Sequence, residues 1–420
     1  MRRILTTCFV LVSIAAFSQQ KFTEAKPEDA GMSTSRLSKI DKVIEEHMAN
    51  KWIPGAVVFI SRNGKIVYHK AYGYSDVESK TPLKKDNIFR IASQSKAITS
   101  LAVMMCWEDG KFGLDDAVSK YIPEFKNPKV LDKLNWKDTT YTTTPAKSEI
   151  TIRQLLTHTS GIDYASIGSQ EFRAIYAKAG VVSGIGNHNM TLADKMKVLG
   201  GLPLKHNPGE AYTYSLSIDV LGYLVEIWSG MSLDQFFKTR IFQPLGMNDT
   251  YFYLPAEKRN RMVTLYEMNK EGVISKVTGK VYDNVDPVYP TLEGKYYSGG
   301  AGLSSTAEDY AKFLQLFLNK GEFNGVRLLS RKTVELMLTP QVQPPLTNQY
   351  GIGFGLETEK NDYQSIFSLG TFSWGGAYNT QYWADPKEKL IGIIYMNTYN
   401  GPNRNTADRF KTFTYGGIVD

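Results

Sequence analysis

The sequence predicts an α+β fold: an α/β sheet domain assembled from the two ends of the chain, with a mostly helical domain inserted between them. Three observations predict it. β-rich runs stand near both ends, at 55–71 and 378–396; the residues between carry a series of helix-period patterns; and no fixed-period repeat or low-complexity segment interrupts the series. The 420 residues suffice for a large core, and 42% hydrophobic against 22% charged residues exclude a disordered or collagen-like chain. The predicted partition is 19–112 with 295–420 for the discontinuous sheet domain and 113–294 for the insert.

The first element, 1–18, reads as a secretory signal peptide. Arg2 and Arg3 precede an apolar run from Ile4 to Phe17, and Ala16-Phe17-Ser18 offers small residues where a signal peptidase cuts, so cleavage is expected near Gln19 and the mature protein is expected to be secreted or periplasmic. The run is shorter than the ~20 residues needed to cross a bilayer, and no later run is longer, so no membrane span is expected. Cleavage changes the formal charge from +7 to +5 and removes Cys8, leaving Cys106 alone and no internal disulfide. Cys106 lies in Met104-Met105-Cys106-Trp107, the setting of a buried, inert thiol.

Next come two β-rich runs, Gly55 to Ser61 and Lys65 to Ala71, around Arg62-Asn63-Gly64. Asn-Gly suits the positive φ angles of a tight hairpin turn. From Ser95 to Glu108 the residues are apolar almost all round and Asp109-Gly110 supplies a stop, which predicts a helix buried on every side. Residues 126–147, rich in Thr and Lys, read as an irregular loop. Helical patterns follow at 152–157, 191–199, 218–228, 233–241, 307–318 and 330–338, the fifth opened by the cap candidates Ser305-Thr306 and closed by Gly321. Tyr378 to Ala384 and Leu390 to Met396, flanking the polar turn 385–389, close the chain with a second strand pair.

The candidate nucleophile is Ser93 in Arg90-Ile91-Ala92-Ser93-Gln94-Ser95-Lys96. On the first turn of the buried helix, Ser93 and Lys96 share one face. A serine hydroxyl needs a base, and a lysine serves if desolvation lowers its pKa; the helix start also favours the negative charge that develops on attack. Spacing alone does not decide, since Ser18 and Lys21 match it too. Context separates them, because a lysine in an all-apolar helix is out of place without a task.

The motifs occur in a recognisable order. Pro54-Gly55-Ala56-Val57 precedes Ile91-Ala92-Ser93-Gln94-Ser95-Lys96, then Leu155-Leu156-Thr157-His158-Thr159-Ser160-Gly161, Asn207-Pro208-Gly209-Glu210, Tyr214-Ser215, Asp219-Val220-Leu221-Gly222, Pro244-Leu245-Gly246-Met247 and Gly299-Gly300-Ala301-Gly302. In this series the chain resembles the serine β-lactamase and penicillin-binding-protein superfamily, on the side of class C β-lactamases and family VIII carboxylesterases. The resemblance implies the β-lactamase/transpeptidase-like fold, with an antiparallel sheet flanked by helices, and an acyl-enzyme formed on Ser93 with Lys96 as partner.

It also implies roles for two further elements. Tyr214-Ser215-Leu216 matches the family's Tyr-x-Asn triplet, which makes Tyr214 the second acid–base group, with Tyr212 as rival; Leu216 cannot hydrogen-bond a substrate amide as the family asparagine does. Trp374-Gly375-Gly376-Ala377 stands where the family has Lys-Thr-Gly or His-x-Gly. The glycines would admit substrate to the backbone, the amides of Ser93 and Ala377 would form the oxyanion hole, and Trp374 would wall the pocket without the charge that holds a β-lactam carboxylate. Leu216, Trp374, Gly375 and Gly376 are thus the expected substrate pocket.

The other constellations point away from rival chemistries. There is no Gly-x-Ser-x-Gly elbow, no His-Glu-x-x-His motif and no metal-ligand spacing, and basic residues are dispersed rather than clustered. No metal, cofactor or nucleic-acid partner is expected, and His158 is read as structural. The expected activity is hydrolysis of small esters. A β-lactamase or D-alanyl-D-alanine carboxypeptidase acting on β-lactams or cell-wall peptides is the alternative, and a non-catalytic binding protein on the same fold is the second.

Overall fold

The computed structural model describes residues 21–282, 284–399 and 405–420. The signal-peptide expectation for 1–18 lies outside them. Among the described residues no helix is long and apolar enough to cross a membrane.

An eight-stranded sheet forms the frame, in the order Thr23–Glu24, Lys65–Asp76, Gly55–Arg62, Leu390–Tyr395, Thr380–Asp385, Phe372–Gly376 and Gly355–Leu356, with Thr81–Pro82 paired to Lys65–Asp76. All pairings are antiparallel except that of Thr23–Glu24. The early and late parts of the chain meet at the centre, where Val57 faces Tyr395 and Arg62 faces Leu390. The hairpin turn is as the sequence predicts, with Asn63 at φ 55° and Gly64 at φ 73°.

Gly55–Arg62 is buried along its whole length because both faces of the sheet are covered. Ala56, Val58 and Ile60 join Ile40, Ile44 and Phe410 on one side; Val57 and Phe59 join Leu101, Phe313 and Ile393 on the other. The first side is covered by helices Lys39–Ala49 and Thr406–Gly416, which pack on each other. The second is covered by Ala307–Leu318, and beneath it Ser95–Glu108, in which every residue from Ser95 to Cys106 is buried, packs on helix Ser217–Ser229. Burial of Leu101, Val103 and Met104 contributes roughly 1.5–3 kcal/mol each, so the helix that carries Lys96 is anchored by its own apolar residues.

Several elements differ from the sequence reading. Residues 126–147 are not an irregular loop: Lys129–Asn135 pairs with Thr140–Pro145 in a hairpin whose positions are mostly exposed, so the apolar alternation that marks a half-buried strand is missing. The pattern at 233–241 is broken, with an α-turn Leu233–Phe236 widening into a π-helical segment Phe237–Phe242. A helix at Gln170–Lys178, short and rich in polar residues, joins the insert. The remaining predicted helices stand within two residues of their expected bounds.

Candidate active site

The site is built at the start of the buried helix. Phe89–Arg90 pairs with Ser304–Ser305, after which Ala92 adopts φ 42° and the chain makes a 3-10 turn over Ala92–Gln94. Ser93 therefore lies on this turn, just ahead of the α-helix rather than on its first α-turn. The turn is tied down on all sides: Ser95 Oγ donates to the Ala92 carbonyl (2.7 Å) and accepts from the Leu303 amide (3.0 Å), and the hydroxyls of Tyr310 and Tyr395 donate to the Gln94 carbonyl and Oε1 (2.9 and 2.8 Å). Ala92 and Gln94 are buried while Ser93 is half-buried, so the nucleophile candidate faces the open side.

Lys96 Nζ lies 3.2 Å from Ser93 Oγ, 3.1 Å from the Tyr164 hydroxyl and 2.7 Å from the Gly300 carbonyl. Three acceptors match the three protons of an ammonium. Desolvation was expected to lower its pKa, and the structure reverses that: burial pulls the ammonium down, but Tyr164 and Tyr214 outweigh it and hold the group above its ordinary value. Tyr164 is a site residue that the sequence reading missed. It lies in an irregular stretch after Gly161 with no motif of its own, and its own hydroxyl is pushed up by burial against the pull of Lys96.

Tyr214 comes to the same place. The Lys96 ammonium lies 4.5 Å from its ring centroid, and Trp374 Nε1 donates to its hydroxyl across 3.4 Å. The loop is held by His158, whose carbonyl accepts from the Thr213 amide (2.8 Å) and whose Nδ1 accepts from the Ser215 amide (3.2 Å). Burial and the Lys96 charge keep this imidazole well below its ordinary pKa, as a neutral structural group. Tyr212, the rival tyrosine, packs against His158 and Tyr350 (5.9 Å to each).

Phe372–Gly376 forms the far wall. One edge pairs with Thr380–Asp385 throughout, but Gly355–Leu356 covers only Phe372 and Ser373 on the other, leaving that edge of Trp374–Gly376 without a strand partner among the described residues. The strand packs against the Ala92–Gln94 turn. Gly376 is required there, since a Cβ on it would stand 2.3 Å from both the Ile91 carbonyl and Thr380 Oγ1. Ala377, next along, is exposed, and Trp374 and Gly375 are half-buried. Trp374 packs on Tyr214 (5.7 Å) and Tyr350 (5.3 Å), which makes an aromatic wall.

Leu216 is corrected. Its side chain is fully buried in the main core, at the start of helix Ser217–Ser229, and lines no open pocket. A leucine after Tyr214-Ser215 finds its apolar partners beneath the site, not in it. Cys106 is likewise remote from the chemistry, with its thiol pushed up to about 12 by burial.

Residues 40–415 match the Beta-lactamase family. Protein Rv1367c of Mycobacterium tuberculosis is 34% identical over 360 residues, which cover 82% of this chain and 85% of that protein. Esterase EstB of Burkholderia gladioli is 28% identical over 389 residues, 88% and 92% of the two chains. Among solved structures, EstCE1, described as a hydrolase with promiscuous acyltransferase activity, superposes with a TM-score of 0.79 at 28% identity, covering 91% of this chain and 99% of that one.

Proposed function

The chain belongs to the Beta-lactamase family and is a serine hydrolase of that fold, and from that premise we propose that it hydrolyses small carboxylic esters through an acyl-enzyme on Ser93. Attack begins when the Lys96–Tyr214 pair, having lost one proton, takes the proton of Ser93 Oγ; a bond forms from Oγ to the ester carbonyl carbon, and the amides of Ser93 and Ala377 receive the oxyanion. Collapse breaks the bond to the alkoxy group, which leaves as alcohol with the proton held by the pair. Water then repeats the sequence on the acyl-enzyme and releases the acid. Tyr164, as an acceptor for Lys96, keeps the ammonium oriented.

The observation that carries the ester reading is Trp374. Where the family pattern places a cation or histidine, this indole directs its N–H to Tyr214 (3.4 Å) and offers a substrate only apolar surface. An ester has a good leaving group and needs few polar anchors, whereas a β-lactam carboxylate would find no charged partner at that position. The match to an esterase over most of both chains supports the same reading.

The test compares kcat/KM for p-nitrophenyl butyrate with that for a chromogenic cephalosporin, with Ser93→Ala as control. Preference for the ester, and fluorophosphonate labelling that disappears in S93A, are expected. Preference for the cephalosporin would make the protein a β-lactamase or peptidase, and equal labelling of both proteins would remove Ser93 from the mechanism. We also propose that the chain is exported and cut near Gln19, which the N-terminal sequence of secreted protein would check.

A further inference from the structure

One buried carboxylate near the site has no part in this mechanism. Asp219 lies on the first turn of helix Ser217–Ser229, its side chain fully buried. Oδ1 lies 3.5 Å from the Tyr296 hydroxyl, and Ser298 and the Gly300 amide also face the carboxylate. Oδ2 and the Lys96 ammonium both lie beside Gly300. A Cβ placed on Gly300 would stand 2.6 Å from Asp219 Oδ2 and 3.6 Å from Lys96 Nζ, so the two charges lie within about 6 Å of each other, separated by a residue with no side chain. The segment 298–300 belongs to both groups: its Gly300 carbonyl binds Lys96 and its Gly299 carbonyl binds Thr99 Oγ1 (2.7 Å), one turn further along the lysine's helix.

We propose that Asp219 is the counter-charge of the Lys96 ammonium, a positioning residue that sets the pH at which the Lys96–Tyr214 pair releases its proton; this rests on the acyl-enzyme reading above. The groups facing Lys96 are Tyr164, Tyr214 and, further off, Tyr212 and His158; those facing Asp219 are Tyr296, Tyr164 and Lys96 itself. Burial holds Tyr164, Tyr212 and Tyr296 as neutral phenols near neutral pH and His158 as a neutral imidazole. Asp219 is then the one anion among them, and an ammonium buried without a counter-charge is costly. Burial raises the Asp219 carboxyl to about 6, opposed by Ser298, the Lys96 charge, the Gly300 amide and Tyr296, so it is ionised where the pair works.

The sign of the effect follows. A carboxylate close to Lys96 favours the ammonium, so removing the charge lets the pair lose its proton at lower pH. In Asp219→Asn the rising limb of the kcat profile for p-nitrophenyl butyrate is expected to move down by about one to two pH units, with KM changed less than about threefold. Tyr296→Phe keeps the carboxylate charge and is expected to leave the limb in place. A limb that stays put in D219N overturns the proposal, and so does an equal shift in Y296F, which would assign the effect to displaced packing. Should D219N not fold, carboxyl 13C NMR of aspartate-labelled wild-type protein decides: ionised Asp219 at pH 8 supports the pairing and a neutral one overturns it. Fluorophosphonate labelling separates the two readings, since intact labelling with an unmoved limb defeats only the role of Asp219, while absent labelling defeats the acyl-enzyme.

Discussion

Tyr164 and Tyr214 stack with ring centroids 5.7 Å apart and planes inclined by 28°, and the Lys96 ammonium lies against both rings. The two phenols arrive from separate loops and divide the work: the Tyr164 hydroxyl accepts from the lysine, while that of Tyr214 accepts from Trp374 and meets the open side. Tyr214→Phe is therefore expected to lower kcat by about 10²–10⁴-fold as a lost proton carrier, and Tyr164→Phe by about tenfold as a lost orienting hydrogen bond. Steady-state kinetics with p-nitrophenyl butyrate rank the two; the reverse order would move the proton traffic to Tyr164.

The pH dependence carries a sign. Lys96 is held above its ordinary value, so the reactive form of the pair, short of one proton, becomes more abundant as pH rises. We expect kcat/KM to climb through pH 7–9, and a maximum below pH 7 would contradict the arrangement. The rise is measured against the uncatalysed hydrolysis of the same ester at each pH.

Trp374 has two contributions that substitutions separate. Trp374→Phe keeps an aromatic wall and removes the N–H to Tyr214, which predicts a loss of about five- to tenfold in kcat. Trp374→Ala removes the wall against Tyr350 and Tyr214, and KM for aryl esters is expected to rise by about tenfold. Equal effects on both constants in both variants would show that the indole serves packing alone.

Gly376 has no room for a side chain between Ile91 and Thr380. Gly376→Ala is predicted to cost about 1–3 kcal/mol of stability, read from the urea midpoint. It should also cost activity by about 10²-fold, because the strand must retreat from the Ser93 turn.

Cys106 is a negative control. Burial holds its thiol protonated, and iodoacetamide is expected to leave native activity and intact mass unchanged while labelling the urea-unfolded chain.

Local signals were legible in the sequence wherever one residue sets the backbone. Asn63-Gly64 announced its hairpin, and the all-round apolar run ending at Asp109-Gly110 announced the central helix. Ser93, Lys96 and Tyr214 were found through motif and order. Tyr164 and Asp219 were not assigned roles, because each meets Lys96 only through tertiary folding: Tyr164 carries no spacing signal, and Asp219 stands in the motif Asp219-Val220-Leu221-Gly222, which marks a helix start and names no partner for the carboxylate. The helices Lys39–Ala49 and Thr406–Gly416 escaped for a different reason. Each buries only one stripe and shows polar residues elsewhere, a weaker pattern than the strands they cover. Leu216 shows the converse, a position that the motif assigned to the pocket and the core claimed.

The left-handed backbone of Ala92 has an implication for how this protein changes over generations. A residue with a Cβ at φ 42° costs of the order of 1 kcal/mol or more relative to glycine, and glycine there would exchange that strain for a lost buried methyl and a freer unfolded chain, a near balance. The same mutation frees the turn that aims Ser93 between Lys96 and the Trp374 strand. Stability is then nearly indifferent at this one position while turnover is not, so libraries screened only for folding are expected to admit glycine here and those screened for turnover to reject it.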